Sequence, residues 1–307
     1  MTTDFARAAA TAGTEITDQP FDVRPLGAAL AGELTGIDLA RPLSQRDLRR
    51  VQQASFDHLV IVFRQQRLTP GQHIEFSRRF GPLQIHVLAQ FLLPGHPEIL
   101  IVSNERRDGR PIGLGDAGHY WHSDLSYKET PSLGSQLHAQ TLPAEGGDTL
   151  FANMYLAYQS LPADIRQLIH GRKAAHAYTK TYGELQKKAD WRPNLSADQI
   201  SAVPQVWHPM VRIHPGTGRA ALFVNEGFTT QVEGLSQDEG RALLKLLFEH
   251  STRPEHVYRH RWQAGDLVFW DNRVTIHLAA GCPPHLARTL YRTTIEGEPP
   301  IPAIGIH

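Results

Sequence analysis

Apolar positions along the chain switch between two spacings, and the switches mark out its elements. Val60-Ile61-Val62-Phe63 is an unbroken apolar run of strand length, as a strand buried on both faces requires. Glu98 to Ser103 predicts a second apolar strand. Helix start signals flank the first: Ser44 with Asp47 opens a helix to about His58, and Thr69-Pro70 opens another to about Phe80. Upstream, Phe21 to Leu39 reads as short strands separated by turns at Gly27, Gly32 and Gly36. Ser135 to Leu142 is a strand, and Gly146-Gly147-Asp148-Thr149 is a turn leading into Leu150-Phe151. Helical spacing covers Met154–Leu161, Asp164–Arg172 and Ser236–His250, the last with Leu243, Leu244, Leu247 and Phe248 on its apolar side. The final third is strand-dense: Ala221–Val224, Val257–Trp262, Leu267–Trp270 and Thr289–Ile295.

One stretch breaks the pattern. Glu184 to Pro204 is polar, carries Lys187, Lys188 and Asp190, and has no strong apolar period, so it is expected to be a mobile excursion and a candidate lid. No internal repeat or low-complexity linker divides the chain, which predicts a single domain over 21–307. Met1 to Pro20, rich in Ala and Thr, is expected to be a flexible lead-in without a secretory signal. Strands with Gly, Pro and Asp turns after early helices predict a mainly β fold, a sandwich or jelly roll decorated by α-helices.

Composition narrows the function classes. Lys+Arg and Asp+Glu each number 31, so no basic field favours nucleic acid or an anionic membrane. No run approaches the ~20 apolar residues of a transmembrane helix. A single cysteine, Cys282, excludes an intrachain disulfide framework and fits a cytoplasmic location. With 17 histidines, position must select the functional ones.

Trp121-His122-Ser123-Asp124 is where position does so. On an extended strand, residues i and i+2 point to one side, so His122 and Asp124 present an imidazole and a carboxylate together. With His277 from a distant strand, they make the ligand set of a non-haem Fe(II) facial triad, which leaves adjacent positions open. The pair alone is a weak signal. Downstream, Arg288, Leu290 and Arg292 share a face if the last strand begins slightly early, their guanidiniums leaving the backbone roughly 13 Å apart. Arginines so placed suit two anionic ligands, or are solvated surface residues.

From about Phe21 to Pro299 the chain resembles the Fe(II)/2-oxoglutarate-dependent dioxygenases of the taurine dioxygenase and 2,4-dichlorophenoxyacetate dioxygenase family. The resemblance is carried by Phe80-Gly81-Pro82, the Trp121–Asp124 motif, Glu145-Gly146-Gly147-Asp148-Thr149, His208-Pro209 and Ala221–Phe228. Trp270-Asp271-Asn272-Arg273 and the His277, Arg288, Arg292 set complete it. It implies a double-stranded β-helix with His122, Asp124 and His277 as iron ligands, and Thr149 and Arg288 on the distal carboxylate of 2-oxoglutarate. Without the resemblance, Thr149 reads first as a helix N-cap after the Gly-Gly turn. Arg292 and His86 match positions that hold a substrate sulfonate, and the Leu125 N–H adds a donor. Thr181, Tyr182 and Phe223 match pocket positions. The family's amine-binding tyrosine and asparagine are here Ala89 and Gly118, which argues against taurine and leaves room for a larger body.

The expected activity is oxidation of a C–H bond in a small anionic substrate (a sulfonate, sulfate ester or carboxylate), with 2-oxoglutarate and O2 converted to succinate and CO2. A homo-oligomer, dimer or tetramer, is the expected assembly. Two other readings stay open: a catalytically silent binding protein on the same fold, and a zinc hydrolase using the same ligands.

Overall fold

The structure is a computed structural model that describes residues 17–115, 118–188, 196–201 and 203–303, with backbone alone at 184–188 and 198–199. Its largest element is an eight-stranded sheet. The strand order is Asp22–Pro25, Gly32–Thr35, Val60–Phe63, Leu267–Asp271, Gly134–Thr141, Thr289–Ile295, His96–Ser103 and Leu92–Leu93. Only Gly32–Thr35 and Val60–Phe63 run parallel; helix Gln45–His58 supplies the crossover that parallel neighbours need. The remaining strands form three small sheets and one short ribbon. The small sheets are Val206–Pro209/Lys173–His176/Thr229–Val232, Ala220–Leu222/Val211–Ile213/Ile301–Pro302 and Val257–His260/Thr149–Asn153/Thr275–Ala279.

Strand alternation explains the apolar run at 60–63. Val60 and Val62 join Leu137, Val268 and Leu290 in a core completed by Phe151, Ala174, Val211 and Leu222 of the small sheets. Ile61 and Phe63 point the other way, onto Phe269, Phe76 and the helix residues Val51 and Ala54. A central strand covered on both faces has no polar side to show. The helix starts are held as the sequence signals require. Ser44 accepts the Asp47 N–H at 3.0 Å, and full capping boxes form at Thr69/Gln72 and Ser236/Glu239. Among the described residues no helix is long and apolar enough to cross a membrane.

Several expectations change. The helix predicted over Asp164–Arg172 ends at Ile169, where Gly171 turns the chain at φ +71°, and Lys173–His176 is a strand. Thr149 opens a strand, while the cap of helix Met154–Gln159 is Asn153, whose side chain accepts two backbone N–H groups. The predicted excursion at Glu184–Pro204 opens instead as the end of helix Tyr178–Lys188 and later contains helix Ala197–Ser201; 189–195 and 202 lie outside the described residues. Part of the expected lead-in is described and tied to the domain. Residues 1–16 are outside the described region, but Asp18 pairs with Arg46, and buried Gln19 bonds to Asp38 and Asp47.

Candidate active site

His122 and His277 are brought together by the backbone. Each donates its N–H to the other's carbonyl, at 3.0 and 2.8 Å, in an isolated antiparallel bridge beside strand Thr275–Ala279. Their rings lie 4.1 Å apart between centroids. Asp124, two residues on, completes the group: one ligand atom from each residue lies within 4.8 Å of the others, and all three are buried. No other such group occurs among the described residues. Asp124 Oδ1 lies 3.5 Å from His122 Nε2 and 3.8 Å from His277 Nε2.

Protonation follows from the partners. His122 Nδ1 is 2.9 Å from the Tyr120 carbonyl, which only accepts, so Nδ1 carries a proton and Nε2 is the ring nitrogen turned toward Asp124. Burial holds His277 neutral, well below the usual histidine range, and neighbouring His122 adds to the effect. Burial alone would raise the Asp124 carboxyl; the Arg292 guanidinium, with the two histidines, outweighs it and holds the group well below the usual range. Two imidazole nitrogens and one ionised carboxylate fit a first-row divalent metal such as Fe(II), with three positions left open.

A polar network fixes the carboxylate. Asp124 Oδ2 accepts from Ser135 Oγ at 2.8 Å and from Asn272 Nδ2 at 3.3 Å. Asn272 Oδ1 accepts the Asp124 N–H at 3.2 Å and the Trp270 indole N–H at 3.0 Å. Trp270 in turn packs 4.8 Å from the His277 ring. Asp124 Oδ1 meets Arg292 Nη2 at 2.7 Å.

Thr149 and Arg288 converge away from this network. Thr149 pairs with Ala279, two residues along the same sheet face from His277, and its hydroxyl accepts from Trp262 Nε1 at 3.1 Å. Arg288 Nε donates to the Gly147 carbonyl at 3.1 Å, and its guanidinium lies 6.0 Å from the centroid of the Trp262 ring. Gly147 adopts φ +78°, and a Cβ there would meet Arg288 at 3.2 Å, so glycine allows the close approach. Burial lowers Arg288 to about 10, which still leaves it charged. The nearby acid Asp148 is taken by Arg259 at 3.0 Å. A charged, enclosed guanidinium without a carboxylate partner among the described residues is suited to an anion.

A cavity of about 130 Å³ opens onto His122 and Asp124. His86, Leu125, Thr181, Tyr182 and Arg292 all line it, and Phe223 does not. The Phe223 N–H bonds the Met210 carbonyl at 2.7 Å, and its ring packs against His176 and His208 with Arg212 5.0 Å from its centroid. Phe228 takes the wall position instead, on a turn closed by Asn225, edge-on to Tyr120, Tyr127 and His122. Tyr178 and Tyr182 complete an aromatic wall. Thr181 spends its hydroxyl on the Gly227 carbonyl and so positions the wall. Leu125 turns the chain after Asp124 in the left-handed region, at φ +57°, a conformation rare for a bulky residue.

Neither departure at the amine-binding positions creates space here. Ala89 is exposed and lies outside the lining. Gly118 has φ +73°, and a Cβ there would strike His122 Cε1 at 2.8 Å. Its missing side chain makes room for the ligand ring, not for a substrate. Sequence reasoning left Asn272, Ser135, Trp262, Tyr127 and Tyr178 without site roles. For Asn272 the available signal was an amide beside the buried Leu267–Asp271 strand; for Tyr178 there was none, since its helix was not predicted.

Together these features define a mononuclear, metal-dependent protein with an open two-histidine, one-carboxylate face and a separate anion clamp. Comparison with known proteins gives the family. The model of the taurine catabolism dioxygenase TauD, TfdA family matches residues 22–294, and the chain belongs to that family. It is 37% identical over 280 residues to the alpha-ketoglutarate-dependent 2,4-dichlorophenoxyacetate dioxygenase of Cupriavidus pinatubonensis, covering 88% of this chain and 96% of the relative. The alpha-ketoglutarate-dependent sulfate ester dioxygenase of Pseudomonas putida is 32% identical over 292 residues, covering 92% of each. A crystal structure of a taurine dioxygenase from Burkholderia xenovorans superposes with a TM-score of 0.78 at 35% identity, over 93% of this chain and 92% of that one. The protein is thus a 2-oxoglutarate-dependent dioxygenase, with Fe(II), 2-oxoglutarate and O2 as its metal and co-substrates.

Proposed function

We propose that the protein oxidises a C–H bond of a small carboxylate or sulfate ester with an apolar body about the size of one aromatic ring. The fold that serves this is a double-stranded β-helix, the eight-stranded sheet facing the small sheets. The observation that carries the reading is the single cavity shared by His122, Asp124, the donors His86 and Arg292, and the aromatic wall. A cavity near 150 Å³ accepts a benzene ring, and this one is of that order. The relatives named for 2,4-dichlorophenoxyacetate and for sulfate esters pair an anionic head with an apolar body, as this lining does. Taurine is not proposed, since neither Ala89 nor Gly118 offers its amine a partner.

Bound Fe(II) would supply O2 activation coupled to decarboxylation of 2-oxoglutarate, so that one oxygen atom enters succinate and the other the substrate C–H bond. The residues of this chain do the placing. His122, Asp124 and His277 would hold the metal; Thr149 and Arg288 would grip the distal carboxylate of 2-oxoglutarate. His86, Leu125 and Arg292 face the substrate head, while Tyr182 and Phe228 exclude water from the rest. Where the oxidised carbon also bears an ether or sulfate oxygen, the product collapses to a carbonyl compound and a released phenol or sulfate. The expected cover at 184–204 falls partly on 189–195 and 202, outside the described residues, and what supports it is the described rim. Val203 lines the pocket, and Ile85 and Val87 stand 56% and 80% exposed at its rim, apolar surface that a cover would bury.

Aryloxyacetates, alkyl sulfates and alkylsulfonates supplied with Fe(II), 2-oxoglutarate and O2 test the reading. Substrate-dependent succinate from an aryloxyacetate or sulfate ester is the expected result. Succinate no faster than the substrate-free rate across the whole panel would overturn it.

A further inference from the structure

The substrate cavity holds two cations, and only one is spoken for. Arg292 lies against Asp124 Oδ1 at 2.7 Å, so its guanidinium is held on a carboxylate of the metal site. Lys128 lines the same cavity from the turn after Asp124, which is closed by its own N–H on the Leu125 carbonyl at 2.9 Å. Among the described residues no carboxylate lies within ion-pairing distance of the Lys128 ammonium. Glu296, the acid that acts on it at longer range, is exposed outside the lining.

The group beside it feels this cation. Burial pushes His86 down to about 4, and Arg292 and then Lys128 add to the effect, so His86 is neutral at working pH. Its Nδ1 accepts the Leu88 N–H at 3.2 Å, which puts the ring proton on Nε2. His86 is therefore a neutral donor that brings no charge of its own. The Leu125 N–H, which has no acceptor among the described residues, is likewise neutral. Of the donors that line the cavity, Lys128 is the one whose charge has no carboxylate beside it.

We propose that Lys128 is the specificity-determining residue that selects an anionic head group, its ammonium neutralising the substrate carboxylate or sulfate while His86 and Leu125 supply uncharged hydrogen bonds. This rests on the dioxygenase reading above and refines it. Arg292 orients the metal-site carboxylate and contributes hydrogen bonds, whereas Lys128 makes the difference between an acid and its neutral amide or ester. Charge-assisted hydrogen bonds contribute about 1.5–3 kcal/mol, roughly 10- to 150-fold in binding.

The test uses the full-length protein and the best acid found in the succinate panel, with Lys128→Met, Lys128→Glu and Lys128→Arg. Lys128→Met is expected to raise KM for the acid roughly 10- to 100-fold with kcat changed less than about threefold, and Lys128→Arg to restore most of the loss. The preference for the acid over its amide should collapse in Lys128→Met and invert in Lys128→Glu. Calorimetric titration of the same acid into the oxygen-free Mn(II)/N-oxalylglycine complex reads binding without turnover and should show the same order. An active parent whose acid-over-amide preference survives Lys128→Met would overturn the assignment and leave the dioxygenase reading standing. A parent that turns over no acid in the panel removes both, because the reading beneath has then failed.

Discussion

Asn272→Ala separates holding the metal ligand from holding the fold. The change removes the amide that donates to Asp124 Oδ2 and accepts from the Asp124 N–H and the Trp270 indole. Two buried donors then lose their acceptor, at about 1–3 kcal/mol each, so roughly 2–6 kcal/mol of stability is lost. Against a total of about 5–15 kcal/mol the variant still folds, with a Tm lower by about 5–15 °C. Ser135 still donates to Asp124 Oδ2 at 2.8 Å, so the carboxylate keeps one restraint and loses another. Removing such a partner of a metal ligand typically weakens metal affinity 10- to 100-fold. Titrating Mn(II) into the metal-free protein while following the free-ion resonance gives the affinity, and thermal unfolding of the same preparation gives the Tm. A lower Tm with metal affinity within twofold of the parent would make Asn272 a fold residue only. An unchanged Tm would refute the unsatisfied-donor calculation itself.

Arg288→Gln should raise KM for 2-oxoglutarate at least 10-fold while leaving Mn(II) affinity within about twofold, measured by succinate kinetics and metal titration; equal loss of both would place Arg288 elsewhere. Gly118→Ala forces a Cβ against His122 Cε1 at 2.8 Å on a backbone at φ +73°, so Mn(II) binding should weaken by more than the ~1–2 kcal/mol of backbone strain alone. His73, wholly buried beside His138, sits at about 3, below its ordinary 6.5. Its unfolded form therefore takes up a proton first: the stability it contributes is complete above pH 6.5 and is lost as pH falls from 6.5 toward 3, on the order of 5 kcal/mol at the foot. Urea midpoints of His73→Leu should fall less than the parent's between pH 7 and 5, and parallel curves would show that His73 is not the group titrating.

What could be read from the sequence divides along physical lines. Val60–Phe63 and Leu267–Trp270 announce themselves because burial there is purely apolar, the helix at Thr69 through its Thr-Pro start, and the helix at Ser236 through the apolar period of Leu243, Leu244 and Leu247. Strands Val206–Pro209 and Val211–Ile213 stayed hidden because they bury His208 and Arg212, and the strand expected to carry His277 could not be bounded because Thr275 and His277 are buried in it; polar side chains break the hydrophobic period. The metal ligands were legible through the tight His122–Asp124 spacing and the motif order. Phe223 was misplaced for the opposite reason: an aromatic residue near a site is equally a core residue, and only the turn at Asn225 decides that Phe228 reaches the pocket.

The cavity's lining comes mostly from residues outside the sheets: 84–88, Leu114, the 120–128 turn, helix positions 178–182, Val203 and Phe228, with Arg292 and Thr294 the strand exceptions. His277 is held in a strand, His122 by a strand-like bridge, and Asp124 by side chains of Ser135 and Asn272. Substitution in the loops can therefore reshape what the pocket admits while the reacting centre keeps its coordinates. Such a scaffold can acquire new substrates by drift at its rim without rediscovering its chemistry, and libraries confined to those segments are the economical route to a changed substrate range.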